Sequence, residues 1–262
     1  MVYLGRVSEI AVVDESAPRL SASVLLVRDG SQGIELFMVR RRASSRVSPN
    51  LWVFPGGGLG ESDSEGDWGS LTAGADLARR SKGLLASEVA SALVVAGARE
   101  LFEEANVLLA VGDEPVAADR AAIRASLQKD ELSFAVALSR LGLRSDLDRM
   151  VAFSTWISPP TSQRRSDVWF FVAPMPEGQS AVHCGIETVE GEWVRPDDVL
   201  ADRQRFSLVL PTESHLLRIR TFSTVAELMA FARTKSIEKV QSVALGPDPS
   251  LTEIPPHLVD RW

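Results

Sequence analysis

At 262 residues the chain is long enough for one large domain, or for one domain carrying insertions. A formal net charge of −7 without any block of basic residues disfavours nonspecific attraction to nucleic acid or to an anionic membrane, while leaving room for a local basic pocket around one small anion. The single cysteine, Cys184, excludes an internal disulfide and a cysteine zinc cluster, and His183, His215 and His257 show no metal-ligand spacing.

The first residues lack the apolar core of a signal peptide. No apolar run reaches the roughly 18 residues of a membrane-spanning helix, so a cytoplasmic setting is expected. Leu20 to Val27 and Ile34 to Val39 are apolar, β-branched runs separated by Asp29-Gly-Ser-Gln-Gly33, and they read as a hairpin or as neighbouring strands. Leu51 to Phe54 is a short third strand, stopped by Pro55 and three glycines. Ala86 to Ala105 is rich in alanine and leucine, lacks proline and predicts a helix; Ala118 to Gln128 and Leu132 to Leu141 form a second helical region. Val151 to Ile157 and Val168 to Val172 predict strands, as does Thr188 to Val194, although Glu190, Gly191 and Glu192 interrupt it. Pro196 to Ala201, Thr212 to Ile219 and Thr224 to Ala232 read as helices, followed by an irregular, extended tail. Strands and helices interleave without strict alternation, which favours an α/β fold with a mixed sheet and helices on its faces.

Chemistry concentrates in two segments. In Arg99-Glu-Leu-Phe-Glu-Glu104, a helical period of about 100° per residue puts Glu100, Glu103 and Glu104 on one face and Leu101 and Phe102 on another. Carboxylates at such spacing repel one another, and a divalent cation would relieve the repulsion; hard Mg²⁺ prefers carboxylate and water oxygens. Taken alone, the same face reads as a solvated acidic surface. Upstream, the glycines of Val53-Phe-Pro-Gly-Gly-Gly-Leu59 let the backbone approach a ligand closely. Alone, they read as a tight turn, and they form neither a dinucleotide fingerprint nor a phosphate-binding P-loop.

Together these segments resemble the Nudix box, Gly-x5-Glu-x7-Arg-Glu-U-x-Glu-Glu-x-Gly-U with U aliphatic. Gly57 takes the first glycine and Arg99 to Val107 the second half, preceded by Phe54-Pro-Gly-Gly57. There are three departures: Asp63 stands at the first Glu, 35 residues rather than seven separate it from Arg99, and Asn106 replaces the last Gly. The last change is mild, because Asn tolerates the left-handed conformation that ends helices. The resemblance implies a Nudix fold, a mixed β-sheet sandwiched between α-helices, as one domain over residues 1–262. Its core would span about 20–220, with a box-splitting insertion near 64–85, a helical insertion near 112–148, and a C-terminal helix and tail over 221–262. It further implies a diphosphate-cleaving hydrolase using Mg²⁺ (or Mn²⁺). Glu103 and Glu104 would be principal metal ligands, Glu100 a further ligand or an orienter of the attacking water, and a carbonyl of Gly56 or Gly57 would complete the coordination. Arg99 would hold the carboxylates through charge-assisted hydrogen bonds. Glu187, at the spacing of an acidic residue in many Nudix proteins, is a candidate ligand or base, or else a solvated loop residue.

Trp156-Ile-Ser-Pro-Pro160 and Arg164-Arg-Ser-Asp-Val-Trp-Phe-Phe171 resemble segments of the branch containing the peroxisomal coenzyme A diphosphatases. This implies cleavage of coenzyme A or its thioesters to adenosine 3′,5′-bisphosphate and 4′-phosphopantetheine. Arg40, Arg41, Arg42 and Arg46 are candidate contacts for the phosphoadenosine part, since guanidinium forks match phosphate, and Arg165 is a further candidate. As solvated strand-end arginines they would have no such role. Trp156 and Trp169 read as core residues. ADP-ribose, NADH and dinucleoside polyphosphates stay open as substrates, as does a nucleotide-sensing module without catalysis. The expected partner is a small nucleotide, with neither nucleic acid nor membrane, and a homodimer is left open.

Overall fold

The structure, a computed structural model, describes residues 17–45, 48–68, 71–160, 162, 164–241, 243–244 and 252–253. Arg46 and most of the expected extended tail lie outside these residues. In chain order the elements are β1 (Arg19–Gly30), β2 (Gly33–Arg41), β3 (Trp52–Val53), β4 (Gly56–Gly58), α1 (Thr72–Arg80), α2 (Ser87–Ala105), β5 (Ala110–Val111), α3 (Ala117–Leu127), α4 (Phe134–Arg140) and β6 (Arg144–Ser145). There follow β7 (Val151–Ile157), β8 (Ser166–Pro174), β9 (Thr188–Val194), α5 (Pro196–Ala201), α6 (Leu210–Ile219), α7 (Val225–Thr234), β10 (Lys239–Gln241), β11 (Val243–Ala244) and β12 (Thr252–Glu253).

Eight strands form one mixed sheet. Its main path runs β10-β7-β8-β1-β2-β3, with β4 on β1 and β9 on β2. β1 and β2 make the expected hairpin, with Gly33 at φ +115° in the turn, while β1 runs parallel to β8. Period-two alternation sends side chains to two apolar layers. Val24, Leu26, Phe37 and Val39 pack with Leu101 and Phe102 of α2, whereas Leu25, Val27, Leu36 and Met38 pack with Leu216 of α6 and Leu228 of α7. Each such buried side chain contributes roughly 1.5–3 kcal/mol relative to exposure. The sheet is therefore sandwiched between helices, as the sequence implied, and Trp156 and Trp169 are buried in it.

The central helix α2 is buried for most of its length and lies against β1. A Cβ at Gly97 would sit 2.8 Å from Met150 and 3.4 Å from Val24, so the absent side chain sets how closely the helix approaches the sheet. The helix ends at Asn106, in the left-handed region at φ 58°, as its residue type allows.

Helix α1 and the short strands β4, β5, β6, β10, β11 and β12 have no counterpart in the sequence reading. Helix α1 lies in the box-splitting insertion; Gly74 disfavours a helix there, while Ala73, Ala75, Leu77, Ala78 and the two arginines favour it. Packing decides it: Gly74 comes so close to α2 that a Cβ would meet the Ser91 Cα at 2.8 Å. Strand β10, only three residues long, exists through its parallel pairing with β7.

His215 of α6 is fully buried beneath the sheet. Its Nδ1 donates to the Pro211 carbonyl, which can only accept, so Nε2 accepts from the Ser154 hydroxyl at 2.7 Å. Burial lowers its pKa to about 3, with the nearby Lys235 charge acting in the same direction and the Pro211 bond opposing. The folded state thus keeps the imidazole neutral while the unfolded chain protonates it near pH 6.5. Stability from this residue is present above about pH 6.5 and is lost as pH falls toward 3, by up to about 1.4 kcal/mol per pH unit. Urea titrations from pH 7 to 5 should show this loss in the native chain and a shallower slope in His215→Gln. An equal slope in both would remove His215 as the acid-sensitive group.

Candidate active site

The acidic face of α2 meets the glycine segment β4 through one guanidinium. Arg99 Nε and Nη2 donate to the two oxygens of Asp63 at 2.7 and 3.0 Å. Its Nη1 donates to Glu100 Oε1 at 2.8 Å and Glu103 Oε1 at 3.0 Å, and Nη2 also reaches the Gly58 carbonyl at 3.0 Å. Asp63 is 0% exposed and sits in a single turn of 3₁₀ helix, Glu61–Ser64, where its Oδ2 also accepts from Gly60 N. The 35-residue gap in sequence therefore closes in space: the insertion carrying α1 loops out, and Asp63 returns to Arg99.

Glycine is required at the two positions where β4 passes between β1 and α2. A Cβ on Gly57 would lie 2.3 Å from Glu100 Oε1, and one on Gly56 would lie 2.4 Å from the Ala22 carbonyl oxygen. Gly56 N donates to Glu104 Oε2 at 2.9 Å. Among the described residues, buried Glu104 Oε1 accepts no hydrogen bond, and Arg41 Nη1 lies 4.0 Å from it. Arg41 Nη2 also lies 3.7 Å from Glu187 Oε2, linking the two acidic segments. Glu187 is exposed and borders a small cavity together with Glu100, Glu103, Glu104 and Gln128.

Burial and crowding penalise these charges. Burial pushes Glu100 up to about 7, with repulsion from Glu103 and Glu187 adding to it and Arg99 opposing. Glu103 is raised by burial against the pull of Arg99. Glu104 is raised well above the usual carboxylate range, by burial and then by the Glu100 charge. Burial also works against the Arg99 charge, but its bond to Asp63 and the surrounding carboxylates outweigh that and raise its pKa.

Among the described residues no group of three or more Asp, Glu, His or Cys is preset as a metal cage. Arg99 holds one oxygen each of Glu100 and Glu103, and Gly56 holds one of Glu104. The donor set nevertheless suits a hard divalent cation: three crowded carboxylates, one with an unbonded buried oxygen, beside backbone that approaches closely.

The other candidates are placed differently. Arg40 stands directly opposite Glu190 in the β2–β9 register and pairs with it, because alternation turns it to the sheet face away from α2. Exposed Arg42 donates to the Gly185 carbonyl. Arg165 sits before β8, where its carbonyl accepts from Arg19 N. Three residues outside the site expectations adjoin the cluster. Arg124 Nε and Gln128 Nε2 both donate to the Glu103 carbonyl, at 3.0 and 2.9 Å, and Arg120 Nη2 donates to the Asn106 carbonyl at 2.6 Å. Their i, i+4, i+8 spacing in a predicted helix was the visible signal.

No family model matches the chain. It is 27% identical to the crystal structure of a NUDIX hydrolase from Alicyclobacillus acidocaldarius, over 82% of this chain and 96% of that one, with a TM-score of 0.66. The chain has the Nudix fold and is similar to Nudix hydrolases. Acyl-coenzyme A diphosphatase NUDT19 of Xenopus laevis is 23% identical, over 80% of this chain and 66% of that protein. A putative nudix hydrolase 7 of Caenorhabditis elegans is 22% identical, over 75% of this chain and 58% of that protein. The chain thus spans about two thirds or less of the curated relatives it matches. No helix among the described residues is long and apolar enough to cross a membrane.

At the box-like segment, removing Asp63 strips the buried Arg99 of two charge-assisted hydrogen bonds and leaves it Glu100 and Glu103, at a cost of about 3–5 kcal/mol. Asp63→Ala should lower unfolding stability by that amount in urea titration, and Glu131→Ala, at an exposed pair with Lys129, by less than about 1 kcal/mol. Equal losses would show that Asp63 does not organise the box.

Proposed function

We propose that this chain is a divalent-cation-dependent Nudix hydrolase that cleaves the diphosphate linkage of a small nucleotide-linked molecule, with coenzyme A or its thioesters as the leading substrate. The observation that carries the reading is Glu104. It is a buried carboxylate with one oxygen unbonded, raised far above its usual pKa, next to two further glutamates on the same helix face. Proteins seldom keep such a group without a cation to offset its cost.

Glu103 and Glu104 would hold the cation with Glu100, and a carbonyl of Gly56 or Gly57 would add an oxygen ligand. A divalent cation bound there supplies charge neutralisation for diphosphate oxygens and lowers the pKa of a coordinated water. Of the three carboxylates it bonds, Arg99 fixes Glu100 and Glu103 on the helix face, so their geometry does not depend on exposed, mobile side chains. Glu187 faces them across the cavity, where it can orient water or take a proton. Arg41, at the end of β2, offers a guanidinium to an incoming phosphate on the same side. In the reaction a water oxygen forms a bond to one phosphorus while the bridging P–O bond breaks. The leaving phosphate takes the electron pair, and two phosphorylated products depart.

Coenzyme A is favoured by the similarity to the acyl-coenzyme A diphosphatase and by the Trp156–Phe171 segments. On a panel of coenzyme A, ADP-ribose, NADH and diadenosine polyphosphate with Mg²⁺, coenzyme A should be turned over fastest. Glu103→Gln and Glu104→Gln should each lower its rate by on the order of a hundredfold or more. Turnover of both variants at the native rate would discard the carboxylate assignment, and absence of coenzyme A cleavage beside cleavage of another diphosphate would discard only the substrate.

Binding can be read without turnover. In the cation-free protein the raised pKa of Glu104 means its contribution to stability is lost as pH rises through the folded value, so the ionised carboxylate is a burden at neutral pH. Glu104→Gln should therefore melt about 2–4 °C higher than the native chain at pH 7.5 in EDTA, for each 1 kcal/mol recovered. Millimolar Mg²⁺ should raise the native melting temperature and leave the variant's nearly unchanged. An identical Mg²⁺ shift in both would place the cation elsewhere.

A further inference from the structure

Next to the carboxylate cavity lies a larger one, of about 280 Å³, built on α3. The two share Gln128 and Cys184 in their walls and so adjoin one another. Its volume is near the lower end of the ~300–1,000 Å³ typical of ligand pockets and suits one part of a substrate. Ala117, Ala121 and Ala125, four residues apart on one helix face, keep that face open, and Arg120 and Arg124 line it from the same helix.

The two arginines are not neutralised alike. Arg120 pairs with Glu114 at 3.2 Å and has its other donors on Asn106 and Gln179. Arg124 gives two hydrogen bonds to main-chain carbonyls, those of Glu103 and Val182, and among the described residues forms no ion pair. A guanidinium has five N–H donors, so Arg124 has donors left for the cavity. Burial lowers the pKa of both, first among the causes in each case, which marks positive charge held at a cost beside the site. In a chain of net charge −7, such a pocket selects for anions by local rather than global field.

We propose that this α3 cavity, through Arg124 and Arg120, binds a second anionic group of the substrate, a phosphate monoester on the nucleoside arm, while the diphosphate lies at the glutamates. The proposal rests on the diphosphatase reading for the position of the diphosphate, but its test does not require cleavage. It also gives the helical insertion a function in specificity, at a place where Arg40 and Arg42 are engaged with Glu190 and Gly185.

Adenosine 3′,5′-bisphosphate and adenosine 5′-monophosphate differ by one phosphate monoester and contain no diphosphate bond to cleave. Their affinities for the full chain with Mg²⁺, measured by isothermal titration calorimetry, report the subsite directly. The native protein should bind the bisphosphate about tenfold or more tightly than the monophosphate. Arg124→Ala should reduce that preference below about threefold, with monophosphate affinity changed less than about twofold. Because Arg124 also bonds the Glu103 carbonyl, Ala121→Leu serves as the second variant: it fills the cavity without touching α2 and should abolish the preference equally. No preference in the native protein, or one that survives Ala121→Leu, overturns the subsite. If the preference is present and lost in both variants while coenzyme A is not hydrolysed, the substrate assignment fails and the subsite stands.

Discussion

The buried pairing of Arg99 with Asp63 is the constraint around which the rest of the site is arranged. A guanidinium with both faces of its fork occupied cannot rotate away. Here it joins a 3₁₀ turn before the insertion, a glycine strand carbonyl and two glutamates of the central helix. Its own desolvation is offset only because those carboxylates converge on it. The same geometry requires glycine at position 57 of β4, where any side chain would take the space of the Glu100 carboxylate. Charge placement and backbone placement are one problem at this site, solved by a single residue.

The second constraint is the end of α2. Its last carbonyls need partners once buried, and they come from three directions. Phe102 is satisfied by Asn106 N in the turn, Glu103 by Arg124 and Gln128, and Ala105 by Val182 N of the loop that carries Cys184 and Glu187. Positive side chains at a helix C-terminus also suit its dipole. Capping thus brings the helical insertion and the Glu187 loop to the acidic face, and a cavity with unspent arginine donors results beside the glutamates. Stability and recognition share the same hydrogen bonds, which is why α3 is both a brace for α2 and a candidate specificity element.

The opposing pH demands of the two layers follow from the same principle. His215 must stay neutral beneath one face of the sheet, where its ring is surrounded by Phe54, Phe153, Trp156 and Phe170. The glutamates on the other face are crowded in the charged form. Low pH burdens the first and high pH the second, so the cation-free fold is squeezed from both sides and a bound cation would relieve the alkaline side.

The sequence by itself determined the mixed sheet, the central helix and the common helix face of Glu100, Glu103 and Glu104. Those follow from local periodicity and from residue types at fixed spacing, which act over one or two turns of chain. Even the left-handed stop at Asn106 was written locally. What only the tertiary structure decided depends on contacts between distant segments. Asp63 meets Arg99 across an insertion in which the sequence reading placed no element and which holds α1 against α2. Among the arginines of β2, register rather than composition separates Arg40, opposite Glu190, from Arg41, which is turned toward Glu104. The cavity on α3 likewise exists only where two cappings coincide, since the Arg120-x3-Arg124-x3-Gln128 stripe says which residues share a face but not what that face meets.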